Sequence, residues 1–340
     1  MVEQGKKACF IIPYFGKLPN TFPIYLRTCG ENPDFDWLIV TDDRTAYSYP
    51  ANVHCSYTTF SSFVARVQSC FDFPIALKRP YKICDFRAAF GVIFEQELRD
   101  YRFWGHCDLD QYFGKINHFV TDEVLEKYDK ILCLGHFTLF RNVAKINEMY
   151  KIPDKKYGQS YIDAFSQEKH WIFDEWPTGN TCINRIMKQE EVNTFYYHDA
   201  FCDLVPFVSR FQRYIFDHEA ESWAKENIKN SIYVWKNGEL YACHKDKDGK
   251  IVYREMLYIH IRQRKMDMRD YDPLLAAFYI VPNRFETTPN DEDKRINDLL
   301  NKAKVRAFLH PDEMSRKCVI LRSWIEIGMN KLKRTVGCKK

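Results

Sequence analysis

The sequence predicts an α/β fold built on a mainly parallel, doubly wound sheet with flanking helices, and three observations carry that expectation. Short apolar runs of strand length alternate with stretches of helical period through the first half of the chain. The runs Ala8–Ile12, Asp36–Thr41 and Arg102–Cys107 read as strands buried in the sheet. Carboxylates close two of them, Asp42-Asp43 after the second and Asp108-Leu109-Asp110 after the third, and ligands of such sheets bind beyond the carboxyl ends of the strands.

Taken in order, Ala8–Ile12 is ended by Pro13, and Thr21–Cys29 reads as a helix. Asp36–Thr41 is the second strand and Val53–Thr58, weakly alternating, the third. Phe63, Val64, Val67 and Cys70 recur at helical spacing. One long helix is expected over Asp85–Leu98, then the strand Arg102–Cys107. Lys130–Leu134 and His136–Arg141 are strands separated by Gly135, and 172–188 carries Asp174-Glu175 followed by a helix. Ser231–Trp235 and Glu239–His244 flank Lys236-Asn237-Gly238, a hairpin signal because Asn-Gly takes positive φ at both turn positions. After a second turn at Asp246–Gly249, Lys250–Ile261 reads as one more strand. The expected organisation is one domain over 1–288, with a donor half near 1–115 and an acceptor half near 116–288, and a basic amphipathic helical tail over 289–340.

Composition narrows the function. Of the 340 residues, 46% are hydrophobic and 28% charged, which suits a packed globular chain and not a disordered one. Aromatic residues make up 16%, a surplus that suits sugar rings, whose apolar faces pack on flat side chains. Net charge is only +4, against a surface that tracks nucleic acid. Thirteen Lys/Arg against four Asp/Glu between Lys294 and Lys340 give that end +9, leaving −5 for the rest. The twelve cysteines stand singly, without C-x-x-C pairs, as reduced thiols in a cytoplasmic protein do. No secretory leader is read at the N-terminus, and no run approaches the roughly 20 apolar residues of a membrane span.

Asp108-Leu109-Asp110 is the sharpest chemical signal. Residues two apart in extended chain point the same way, so both carboxylates can face one cation. Oxygen ligands suit Mg²⁺ or Mn²⁺, which keep positions open for a diphosphate. The bland alternative is a polar loop after a strand. A phosphatase nucleophile is a rival, although Gln111-Tyr112-Phe113 departs from its usual pattern. His260, in the alternating run Leu257–Ile261, can complete a metal shell, and Arg262 and Arg264 just beyond it can clamp phosphate. Lys82, Asp85 and Arg87 precede the D-x-D strand and can grip ribose and phosphate; a helix start with an acidic first turn explains them equally. Asp174 or Glu175 can orient an acceptor hydroxyl or act as general base. His106 and Cys107 lack the partners of a zinc site and read as core.

Together, Ile11-Ile-Pro-Tyr14-Phe15, Asp42-Asp43, Tyr81-Lys-x-x-Asp85-Phe, Trp104-Gly-His-Cys-Asp-Leu-Asp110 and His260 with Arg264-Lys-Met266 resemble the GT-A-type glycosyltransferases. The likeness is to a bacterial family of capsule and O-antigen gene clusters, and covers roughly 8–285. It implies a Rossmann-related GT-A fold, a nucleotide-sugar donor (a UDP-hexose such as UDP-galactose) and Mn²⁺ or Mg²⁺ held by Asp108, Asp110 and His260. Tyr14, Asp42, Asp43, Lys82, Asp85, Arg87, Asp108, Arg262 and Arg264 are the expected donor-binding residues, and Asp174 and Glu175 the catalytic ones. A glycan or lipid-linked glycan is the expected acceptor. The apolar stripe Met314, Cys318, Leu321, Ile325, Met329, Leu332 and Val336, flanked by cations, is expected either to meet anionic lipid at the inner face of the membrane or to pack on the body. Two other functions suit the same residues: a metal-dependent phosphoesterase or pyrophosphatase, and a non-catalytic module that binds nucleotide sugars.

Overall fold

The computed structural model of the chain describes residues 6–177, 179–205, 211–228, 231–287 and 292–308. The chain forms two compact units: Met1–Phe201, Phe216–Ser222 and Met256–His260 make the first, and Cys202–Ile215, Trp223–Glu255 and Ile261–Lys340 the second.

The first unit is an α/β body. Its strands are β1 (Ala8–Tyr14), β2 (Phe35–Thr41), β3 (Val53–Tyr57), β4 (Phe103–Cys107), β5 (Gln111–Phe113), β6 (Lys130–Leu134), β7 (Phe137–Arg141) and β8 (Thr194–Phe195). Seven of them form one sheet in the order β3-β2-β1-β4-β7-β6-β8. The pairs among β1 to β4 are parallel, and so is β6–β8; β4–β7 and β6–β7 are antiparallel. Six of the seven strands therefore run the same way, as expected of a mainly parallel sheet, and β7 alone runs against its neighbours. The cause is the two-residue link Gly135-His136, far too short for the crossover that parallel neighbours need. Because β7 lies beside β4, residues 130–141 share a sheet with the N-terminal strands, and the first unit runs on to Phe201.

Strand β1 continues through Pro13, beyond the expected end at Ile12. Its register with β4 covers only Ala8–Phe10, so Pro13 has a ladder partner on one side alone, where a missing N–H is tolerated. The helix Phe22–Gly30 carries proline in its first turn, where that residue's fixed φ suits helix entry, and buries Phe22, Ile24, Tyr25 and Leu26. Phe60–Gln68 is capped by the Thr59 hydroxyl, which accepts the Ser62 amide at 3.1 Å.

The long helix expected over Asp85–Leu98 is instead four short helical pieces, Ile83–Phe86, Arg87–Ala89, Phe90–Ile93 and Glu95–Leu98. Phe86, Ala88, Ala89, Phe90, Ile93 and Phe94 are all buried, so no polar face fixes one helical period. Packing decides the path: a Cβ on Gly91 would lie 2.6 Å from Trp104 Nε1 and 2.7 Å from Asn147 Oδ1.

In the second unit a six-stranded sheet runs in the order Ile251–Glu255, Glu239–Lys245, Ile232–Lys236, Ala277–Val281, Arg284–Glu286 and Asp267–Asp270. The expected hairpin is present, with Asn237 at φ 52° and Gly238 at φ 86°. The helix Glu292–Phe308 sets Ile296, Leu299 and Leu300 against Ile232, Val234, Tyr279 and Val281 of this sheet. The single strand expected over Lys250–Ile261 is two, Ile251–Glu255 and Tyr258–His260, which belong to different units. The apolar stripe from Met314 to Val336 lies outside the described residues. Among the described residues no helix is long and apolar enough to cross a membrane. The ten cysteines among them are free thiols, seven of them buried, as small hydrophobes pack.

Candidate functional site

Strand β4 prepares the site, lying between β1 and β7 in the middle of the sheet. Trp104 stacks on Phe140, with ring centroids 4.6 Å apart, and its indole N–H donates to Asn147 Oδ1 at 2.6 Å. Gly105 has no room for a side chain: a Cβ would stand 2.1 Å from the Thr138 carbonyl oxygen. His106 Nδ1 lies 2.8 Å from the Gly135 carbonyl. Burial, reinforced by the Arg87 charge, pushes the pKa of His106 well below the ordinary imidazole range. It is therefore neutral, with Nδ1–H donating to Gly135, and it anchors the β6–β7 turn beneath the site. As expected from the sequence, His106 and Cys107 are core residues.

Beyond Cys107 the chain leaves the sheet and both aspartates emerge around buried Leu109. The amide of Asp108 donates to Gln111 Oε1 at 3.0 Å and to the His136 carbonyl at 3.3 Å, which fixes the turn. Strand β5 then pairs antiparallel with Tyr258–His260, in a register that sets His260 opposite Gln111. That ladder carries a distant histidine to the acidic pair. His260 Nε2 is 3.2 Å from Asp110 Oδ1 and 3.7 Å from Asp108 Oδ2. One ligand atom from each of Asp108, Asp110 and His260 lies within 4.8 Å of the others. Behind it His136 packs with its ring centroid 4.4 Å from that of His260, and His136 Nδ1 pairs with the Tyr258 hydroxyl at 3.0 Å. Tyr14, at the end of β1, has its phenol pKa raised by burial and then by the charge of Asp110.

Two carboxylates and an imidazole give a mixed oxygen and nitrogen donor set, which suits Mn²⁺ better than Mg²⁺, a cation that favours oxygen, and these three residues would hold such an ion.

Arg87 joins this cluster to the second acidic group. Its guanidinium donates to Asp108 Oδ1 and to Asp174 Oδ2, the latter at 3.0 Å, and to the Gly135 carbonyl at 2.7 Å. Burial opposes its charge, but the flanking carboxylates outweigh that and hold it firmly protonated. Asp174 is buried, and burial drives its carboxyl pKa well above the usual range despite Arg87, with Glu175 adding to the rise. Gly135 admits this pair closely, since a Cβ there would stand 2.5 Å from Glu175 Oε1 and 2.8 Å from Asp174 Oδ2.

Other expected donor residues have different tasks. Lys82 and Asp85 are fully buried and ion-paired at 2.7 Å, so neither is available to a ribose or a phosphate. The three N–H bonds of the Lys82 ammonium are taken by Asp85 and by the carbonyls of Ala164 and Lys169. Arg262 and Arg264 belong to the second unit. There Arg262 forks onto Asp203, and Arg264 is buried over the Phe211 ring and donates to the Val205 carbonyl at 3.3 Å. Asp42 and Asp43 shape the loop after β1, accepting the amides of Gly16 at 2.7 Å and Leu18 at 2.9 Å. Hydrogen bonds from Thr45 and the Leu18 amide lower the Asp43 pKa to about 2.

Gln111, His136 and Gly135 did not stand out in the sequence. Gln111 follows the motif at a spacing that lets its side chain fold back on the Asp108 amide, a signal legible in principle. His136 and Gly135 matter through contacts with residues far away in the chain, which no local pattern announces.

A family model matches residues 10–289 and is described as a family of unknown function (DUF6625). The chain belongs to this family. The matched span holds every candidate residue from Tyr14 to Arg264 and stops short of the basic tail. Neither the curated proteins nor the solved structures gave a match.

Proposed function

We propose that the chain is a metal-dependent glycosyltransferase of GT-A type. Its donor would be a nucleotide sugar, a UDP-hexose such as UDP-galactose, and its acceptor a glycan or lipid-linked glycan of bacterial surface polysaccharide. The observation that carries this reading is the convergence of Asp108, Asp110 and His260 at the end of a central strand, with His260 Nε2 3.2 Å from Asp110. These residues would hold a divalent ion, which would supply positive charge against a diphosphate leaving group.

The chain's own residues account for the rest. Arg87 holds one oxygen of Asp108, so the other faces His260. Tyr14 borders the metal ligands from the end of β1 and can contact the donor. Asp174 and Glu175 form the acceptor side, where a carboxylate takes the proton of the attacking hydroxyl as oxygen joins the anomeric carbon. The basic tail, flanked by its apolar stripe, suits an enzyme extending a glycan on a lipid at the inner membrane face.

The experiment is incubation with UDP-sugars and Mn²⁺, with and without glycan acceptors. Transfer only with acceptor supports the reading. Rapid acceptor-independent cleavage to UMP and hexose 1-phosphate identifies a pyrophosphatase-type phosphoesterase, and donor binding without any turnover a binding module.

A further inference from the structure

We propose that the buried Lys82–Asp85 ion pair is a positioning device for Asp174 and Glu175, setting where the acidic pair stands without touching a substrate. The inference rests on the reading of that pair as the acceptor-side base.

The geometry runs in one chain of contacts. Lys82 Nζ donates to the carbonyls of Ala164 and Lys169 and to Asp85. Asp85 Oδ1 accepts the Phe173 amide at 3.0 Å, and its carboxylate accepts the Trp171 amide at 3.0 Å through Oδ2. Two amides flanking one residue can converge on one carboxylate only if the residue between them turns. That residue is Ile172, and it sits at φ 59°. A β-branched side chain adopts this left-handed conformation rarely, and such strain persists only where the surroundings over-determine it.

Here the surroundings are the two amide bonds. The carbonyl of Ile172 then accepts the Glu175 amide at 3.2 Å, closing the turn that presents Asp174 to Arg87 at 3.0 Å and sets Glu175 against Gly135. An apolar side chain could fill the volume of Asp85 but would offer those amides no acceptor. Asp110 and His260 are fixed by another element, the β5 ladder, and the device reaches Asp108 only through the Arg87 guanidinium that Asp108 shares with Asp174.

The test uses the full chain, with amide hydrogen exchange and Mn²⁺ titration as readouts that need no turnover. In Asp85→Asn the Lys82 ammonium faces an amide group, and exchange at residues 171–175 should accelerate about tenfold or more. Mn²⁺ affinity should fall by far less than the change in exchange, because Asp110 and His260 are held by the β5 ladder and only Asp108 is linked to the device, through Arg87. The double variant Lys82→Met/Asp85→Asn removes the opposing charge and lets the Asn oxygen accept the amides, so protection should recover relative to the single variant. Where transfer is measurable, kcat should fall in Asp85→Asn with the donor KM unchanged, and partly return in the double. Absence of transfer in the unaltered chain defeats the glycosyltransferase reading, while the exchange data still decide the positioning role. Unchanged exchange at 171–175, or an even rise across the first unit in single and double variants alike, overturns the proposal.

Discussion

His260 Nε2 stands 3.2 Å from Asp110 Oδ1, although 150 residues separate the two in the sequence. The link is the short ladder between Gln111–Phe113 and Tyr258–His260. His260→Ala and Asp110→Asn should each weaken Mn²⁺ binding by about 10- to 100-fold or more, the range seen even when outer-shell partners of metal ligands are removed. Isothermal titration with Mn²⁺ reads this directly. Equal affinity in either variant removes that residue from the metal shell.

Asp174 couples function to pH. Burial raises its folded-state pKa, so the folded chain keeps this proton at pH values where the unfolded chain has lost it. Its contribution to stability is therefore largest below the unfolded value, about 3.9, and declines as pH rises from there through the folded pKa. Asp174→Asn removes the ionisable group, and the variant should match or exceed the parent in Tm at pH 8 while losing activity. A Tm well below the parent at pH 8 would mean that the Arg87–Asp174 pair outweighs burial.

Two glycines separate stability from function. Gly105→Ala sets a Cβ against the Thr138 backbone carbonyl in the middle of the sheet, and should cost about 3 kcal/mol or more in denaturant unfolding. Gly135→Ala meets side chains instead, Glu175 and Asp174, which can shift. It should cost about 1–3 kcal/mol, leave Mn²⁺ affinity near the parent's and lower turnover, because the acidic pair is displaced. Equal turnover in Gly135→Ala would show that the pair does not act in the reaction.

Ile172 is exposed and strained, so replacing it by glycine loses little burial and relieves φ 59°. Ile172→Gly should stabilise the chain by about 1 kcal/mol, the strain relieved less the entropy cost of glycine. Thermal unfolding checks this, and a lower Tm contradicts it.

Much of this site was legible in the sequence because its signals are local. An apolar run closing on Asp108-Leu109-Asp110 reads as a strand end, and β4 does end at Cys107; the aspartates themselves stand in a turn and not in extended chain, and they meet at His260. Asn237-Gly238 marked its hairpin for the same reason. The readings that failed depended on distance. Nothing local shows that Lys82 reaches the carbonyls of Ala164 and Lys169, so a structural ion pair looked like a phosphate grip. One helix is read over Asp85–Leu98, whereas the chain there forms short helical pieces in which Gly91 packs closely on Trp104 of β4.

The central claim is that Asp108, Asp110 and His260 hold a divalent ion that binds a nucleotide-sugar diphosphate. The most direct measurement is UDP-galactose binding by isothermal titration, with and without Mn²⁺, to the parent chain and to Asp108→Asn. The account predicts binding that requires Mn²⁺ in the parent and is lost in the variant, with the two chains unfolding at similar temperatures. Metal-independent binding, or binding retained in full by Asp108→Asn, would contradict it.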